Sequence, residues 1–220
     1  MPFSIEQFFE VFRNYNAGIW PAQLFAYVLG LAAVGLAFRP SVSGSRVVLA
    51  ILALFWFWTG IGYHLLYFSV INPAAFVFAA VFVLQGILFS AAAARADPPR
   101  FDLGSRVRGS AGGLLIFYSL IVYPGLGYVF GHGGLLGPQF GVTPCPVTIF
   151  TMGLLLSQTG RYRWWMFVIP VWWALVGTSA AVLLGVPEDL MLGLTALLAI
   201  AFLKIFRQPK AKTARAEHGR

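Results

Sequence analysis

Apolar runs of the length a bilayer core demands, roughly 20 residues, follow one another through nearly the whole of this 220-residue chain. Six meet that length comfortably: 18–38, 47–68, 73–94, 110–130, 164–184 and 188–206. A seventh, 143–160, is shorter and carries Thr148, Thr151 and Ser157. Only 10% of the residues are charged and 59% are hydrophobic, against about 25% charged in a typical soluble domain. A water-soluble fold of this size has too little interior to hide so much apolar surface. The runs are too long for barrel strands and do not alternate, so helix is the spanning structure they predict.

Charge placement predicts the topology. With seven crossings and the N-terminus outside, every Lys and Arg except Arg13 falls on the cytoplasmic side: Arg39 and Arg46, then Arg95, Arg100, Arg106 and Arg108, then Arg161 and Arg163, then the tail from Lys204. That skew matches the positive-inside bias, and it requires 143–160 to cross. The net charge of +8 is thereby a matter of topology and tail contact with anionic lipid heads, with no nucleic-acid partner needed. The expected organisation is a surface helix and lead-in (1–17), a seven-helix transmembrane domain (18–206) and a basic cytoplasmic tail (207–220). The first residues carry Glu6, Glu10 and Arg13 and no cleavage site follows, so the first run is expected to stay in the mature protein.

Ser4 and Gln7 form a capping-box pattern, and Ile5, Phe8, Phe9 and Phe12 share one helical face. Residues 4–14 therefore predict a short amphipathic helix that either lies on the outer membrane surface or packs over the outer mouth of the bundle. An odd number of spans also permits three helices, a linker and three more in the same orientation, as in parallel-repeat transporters. Trp58 to Pro73 and Trp172 to Pro187 are equally spaced, which hints at such a pseudo-repeat.

Polar groups able to carry chemistry collect toward the outer side. Cys145, the only cysteine, follows Thr143, a plausible N-cap, and Pro144 at the first helical position. In the first turn of a helix a thiolate is favoured, and it is a soft metal ligand and a nucleophile. His64 lies within an apolar run, where an ionisable group is costly. It is the natural partner of Cys145, either as a second metal ligand or as the base of a thiol enzyme. His132 belongs to the loop 131–142. Glu188 and Asp189 open the last helix, where acids complement the dipole, and with His132, Glu6 and Glu10 they would line a vestibule. Gln85 is the mid-membrane polar residue, suited to an interhelical tie. No cofactor is indicated.

The stretches Trp20-Pro21-Ala22-Gln23, Thr143-Pro144-Cys145-Pro146-Val147-Thr148-Ile149-Phe150-Thr151 and Val186-Pro187-Glu188-Asp189-Leu190 resemble a family of small bacterial membrane proteins of unknown function. The resemblance covers nearly the whole chain. It implies a bacterial inner-membrane protein and supplies no activity, substrate or site. The sequence thus points to a transporter or channel-like protein with an outward-facing polar vestibule for a metal cation or small polar solute. The alternatives are a non-transporting sensor or an accessory subunit, with a homo-oligomer or a membrane-complex partner, and a membrane thiol enzyme using Cys145.

Overall fold

The computed structural model describes residues 2–160 and 162–206. Arg161 and the basic tail 207–220, with His218, lie outside the described residues. The chain is all-helical, and among the described residues the only extended pairing is one isolated bridge, Phe101 with Gln158. Its α-helices are α1 (Ile5–Gly18), α2 (Ala22–Ala37), α3 (Val42–Trp58), α4 (Ala75–Ala93), α5 (Arg106–Phe117), α6 (Tyr123–Val129), α7 (Pro144–Leu156), α8 (Val168–Leu184) and α9 (Met191–Ile205).

Two of the apolar runs change winding midway. A π-helix, Thr59–Leu65, continues α3, and a second, Tyr118–Val122, joins α5 to α6. Pro124 follows the second closely, at the second position of α6, and its missing N–H fits a change of winding at that point. With these breaks absorbed, Val42–Val70, Ala75–Ala93, Arg106–Val129 and Trp164–Leu184 are each long and apolar enough to cross a membrane. A fifth candidate is the pair α1 and α2, bent by 84°.

The seven expected spans are thus met only in part by length. Helix α7 has 13 residues, which at 1.5 Å per residue rise about 20 Å, short of a hydrocarbon core of ~30 Å. It lies in the interior of the bundle. Every residue from Phe140 to Gln158 is buried, and α7 packs against α3, α5, α8 and α9. A helix apolar on all sides belongs in an interior, and irregular backbone at its ends is tolerated where protein groups satisfy it. At one end the Tyr15 hydroxyl of α1 donates to Val142 O at 2.6 Å. At the other, Asp102 N–H donates to Ser157 O at 2.9 Å, and Arg108 donates to the Gln158 and Gly160 carbonyls, each at 2.8 Å. Helix α7 therefore runs from the α1 end of the bundle to its arginine-rich end.

The capping box is present as the sequence predicts: Ser4 N–H donates to Gln7 Oε1 at 2.8 Å, and Gln7 N–H to Ser4 Oγ at 3.3 Å. Helix α1 packs over the bundle, burying Phe8, Val11, Phe12, Tyr15 and Asn16. Asn16 Nδ2 ties it down by donating to Leu135 O and Gly137 O, at 3.0 and 2.9 Å.

Candidate functional site

A cavity of about 200 Å³ lies beneath α1, between the π-helical end of α3, the start of α7 and the last turns of α8. One side of it is aromatic. Phe8 and Phe12 come from α1, and Tyr63, Phe68 and Phe78 from the π-helix after α3, the turn that follows and α4. Exposed Pro2, Ser179 and Leu183 stand at its rim.

Besides Tyr63, Asn72 and Ser179, four side chains with hydrogen-bonding or ionisable groups border this largely apolar space: His64, Cys145, Trp173 and Asp189. The π-helix places His64. Its extra residue per turn, with Gly60 held against Phe82 and Ala79 of α4, turns the imidazole into the core. There His64 is fully buried among rings, 5.0 Å from the Trp173 indole and 4.8 Å from Phe82 between centroids. Neither imidazole nitrogen has a hydrogen-bond partner among the described residues, nor does Trp173 Nε1. The Cβ position of Gly177 on α8 is 3.7 Å from Trp173 Nε1 and 3.8 Å from Cys145 Sγ, so the indole N–H and the thiol share one corner.

Thr143 is the N-cap of α7 by position. Its hydroxyl, however, donates back to Gln139 O at 2.8 Å instead of accepting from the first turn. Cys145 is buried, one residue behind Pro144. It borders the same cavity as His64, without a hydrogen bond between the two. No group of three or more His, Cys, Asp or Glu among the described residues is arranged to hold a metal ion.

The two acids after Pro187 make no capping bonds. They are buried cross-links. Asp189 accepts the Tyr123 hydroxyl through Oδ1. Glu188 sends its carboxylate the other way, with Oε1 3.0 Å from Nδ1 of His132. That contact is close but not aligned as a hydrogen bond, so its attraction is that of neighbouring polar groups. The backbone carbonyl of Glu188 accepts from Tyr118 at 2.8 Å. Phe9 of α1 stacks on the His132 ring at 5.2 Å, which joins the pair to the covering helix.

The remaining candidates lie apart. Glu6 and Glu10 are exposed on α1, and Glu10 pairs with Arg13 at 3.1 Å. Gln85 is buried and donates to Met166 O at 3.4 Å, an interhelical tie. The side chains missed in the sequence are Trp173, as a cavity group, and Tyr118 and Tyr123, as donors to the 188–189 pair. Tyrosines inside an apolar run are the available signal, since a buried phenol seeks a partner.

These features define an all-helical protein with several helices fit to cross a membrane and one aromatic cavity holding unpartnered nitrogens. The chain belongs to the family of unknown function DUF6064, whose model matches residues 5–214. No curated protein and no solved structure matches it.

Proposed function

We propose that this chain is a seven-crossing protein of the bacterial inner membrane, N-terminus outside, that binds a small lipophilic ring compound in the cavity beneath α1. The carrying observation is the unpartnered nitrogens of His64 and Trp173 at the wall of a largely apolar space. A buried polar group without a partner costs about 1–3 kcal/mol, and a ligand bearing one oxygen or nitrogen recovers part of that. The volume suits one ring: an apolar cavity of ~150 Å³ takes up benzene. Neutral imidazole offers a donor and an acceptor and the indole a donor, which fits a phenol or a carboxamide.

The packing favours a sensor or accessory subunit over a conduit. Below the cavity α7 closes the bundle, and its hydroxyls are engaged within it. Thr148 donates to Pro144 O at 2.8 Å, and Thr151 accepts from Trp56 Nε1 at 2.9 Å. A polar solute or cation would find no succession of free polar groups along that helix.

The test compares p-cresol with toluene by calorimetry on the detergent-solubilised protein, wild type beside His64→Phe and Trp173→Phe. The wild type should prefer p-cresol by about fivefold, the equivalent of one net hydrogen bond near 1 kcal/mol, and the variants should lose that preference. Equal binding of the two compounds by the wild type would overturn the reading. So would stoichiometric zinc held by the wild type and lost in both His64→Ala and Cys145→Ala, in favour of a metal site.

A further inference from the structure

A second cavity, of about 530 Å³, opens at the arginine-rich end, and the function proposed above makes no use of it. Its frame is rigid. Residues 100–102 and 157–159 run side by side, with Thr159 N–H donating to Arg100 O at 2.8 Å beside the Phe101–Gln158 bridge. Arg108 braces the floor from beneath. Its guanidinium donates to Gln158 O and Gly160 O and lies over the Tyr162 and Phe206 rings, 4.5 and 4.1 Å from their centroids. Buried Pro98 and Pro99 stiffen the facing wall.

Among the described residues two further arginines, Arg100 and Arg163, border the cavity. Arg163 donates to the Asp97 carbonyl at 2.6 Å, with the Asp97 carboxylate 3.6 Å away. That carboxylate is 84% exposed, so it is a weak, water-screened partner, and a phosphate accepting two hydrogen bonds from the guanidinium fork would displace it. Trp164 and Trp165 form the mouth, the residue type that settles at the headgroup level of a bilayer. From Trp164 an exposed apolar stripe continues along α8 through Val168, Trp172 and Leu175, spaced to stay on one helical face.

We infer that this cavity holds the phosphodiester headgroup of an anionic phospholipid, with Arg100 and Arg163 on the phosphate and an acyl chain lying along the α8 stripe. The stripe distinguishes a lipid from a free anion, which would use the arginines and ignore α8. This inference is independent of the cavity beneath α1.

Native mass spectrometry of the whole chain, released from nanodiscs containing phosphatidylglycerol and phosphatidylcholine, tests it. The wild type should retain phosphatidylglycerol, and Arg100→Gln/Arg163→Gln should retain about tenfold less. Arg39→Gln/Arg46→Gln removes the same charge from the same end and should retain as much as the wild type. Arg163→Lys keeps the charge but loses the fork, and should weaken retention even if the double variant folds poorly. Trp164→Ala should weaken retention of the lipid while leaving competition by glycerol 1-phosphate unchanged. Equal losses in the two double variants would overturn the site as general charge attraction. Displacement of the lipid by inorganic phosphate as effectively as by phosphatidylglycerol would overturn it in favour of a free-anion site.

Discussion

The indole N–H of Trp56 donates to the hydroxyl of Thr151 across 2.9 Å, and both side chains are fully buried. The bond ties α3 to the enclosed α7 where neither group can turn to water. Thr151→Val keeps the shape and strands the indole donor, which costs about 1–3 kcal/mol. Thr151→Ser keeps an acceptor. We expect Thr151→Val to lower the melting temperature in detergent clearly more than Thr151→Ser. Equal losses would show that packing of the Thr151 methyl matters and the hydrogen bond does not.

Helices α5 and α7 meet through glycine. A Cβ on Gly112 would stand 2.3 Å from Gly153 O, and one on Gly153 would stand 2.7 Å from Gly112 O. Such contact needs bare backbone on both sides. Gly153→Ala should push the helices apart and destabilise by about 1–3 kcal/mol, the usual scale of overpacking. Gly113, next in sequence, has open space around its Cβ position, and Gly113→Ala should be neutral or slightly stabilising through helix propensity. Thermal melts of the two variants side by side check this.

What the sequence displays and what it conceals divide along physical lines. Local rules read well: Ser4 and Gln7 cap α1 as their spacing implies, and the apolar runs become helices. The seven-span count rests on run length and charge, and it does not reveal that α7 is a short interior helix. Thr148, Thr151 and Ser157 made 143–160 look like a polar span, but their hydroxyls are engaged inside the bundle. The two π-helices leave no mark that hydropathy registers, although Gly60 and Gly62 beside His64 belong to the first. The pairing of His132 with Glu188 is a tertiary fact between distant segments, and no periodicity encodes it. At the cavity, His64, Cys145 and Asp189 were legible as unusual residues in apolar surroundings, while their common wall with Trp173 was not.

The pair of His132 and Glu188 yields its own test. Removing one member of a buried polar pair leaves the other without its neighbour, which typically costs about 1–3 kcal/mol. His132→Ala strands a fully buried carboxylate and also removes the ring on which Phe9 stacks. Glu188→Gln leaves a neutral group of the same shape. His132→Ala should therefore be the more damaging, and adding Glu188→Gln to it should restore part of the loss. A double-mutant cycle by thermal denaturation measures the coupling, and additive losses would show that the two side chains do not interact.

Cys145 reports on the cavity directly. The thiol is buried but borders the space beneath α1, so size should govern which reagents reach it. Methyl methanethiosulfonate should modify it, a bulky maleimide should not, and p-cresol should slow the reaction. Mass spectrometry of the intact chain follows the modification. Rapid labelling by the bulky reagent would mean that α1 does not cover the cavity in solution.

Orientation is the last expectation to settle, because the proposed outward opening of the cavity depends on it. In a Cys145→Ala background, Glu10→Cys on α1 and Asp97→Cys at the arginine-rich end place single exposed thiols at opposite ends of the bundle. The positive-inside skew predicts that α1 lies outside. A membrane-impermeant maleimide added to intact spheroplasts should label Glu10→Cys and spare Asp97→Cys, and lysis should expose both. The reverse pattern would invert the topology, and the cavity beneath α1 would then open toward the cytoplasm, so that its ligand would have to be sought among cytoplasmic or inner-leaflet compounds.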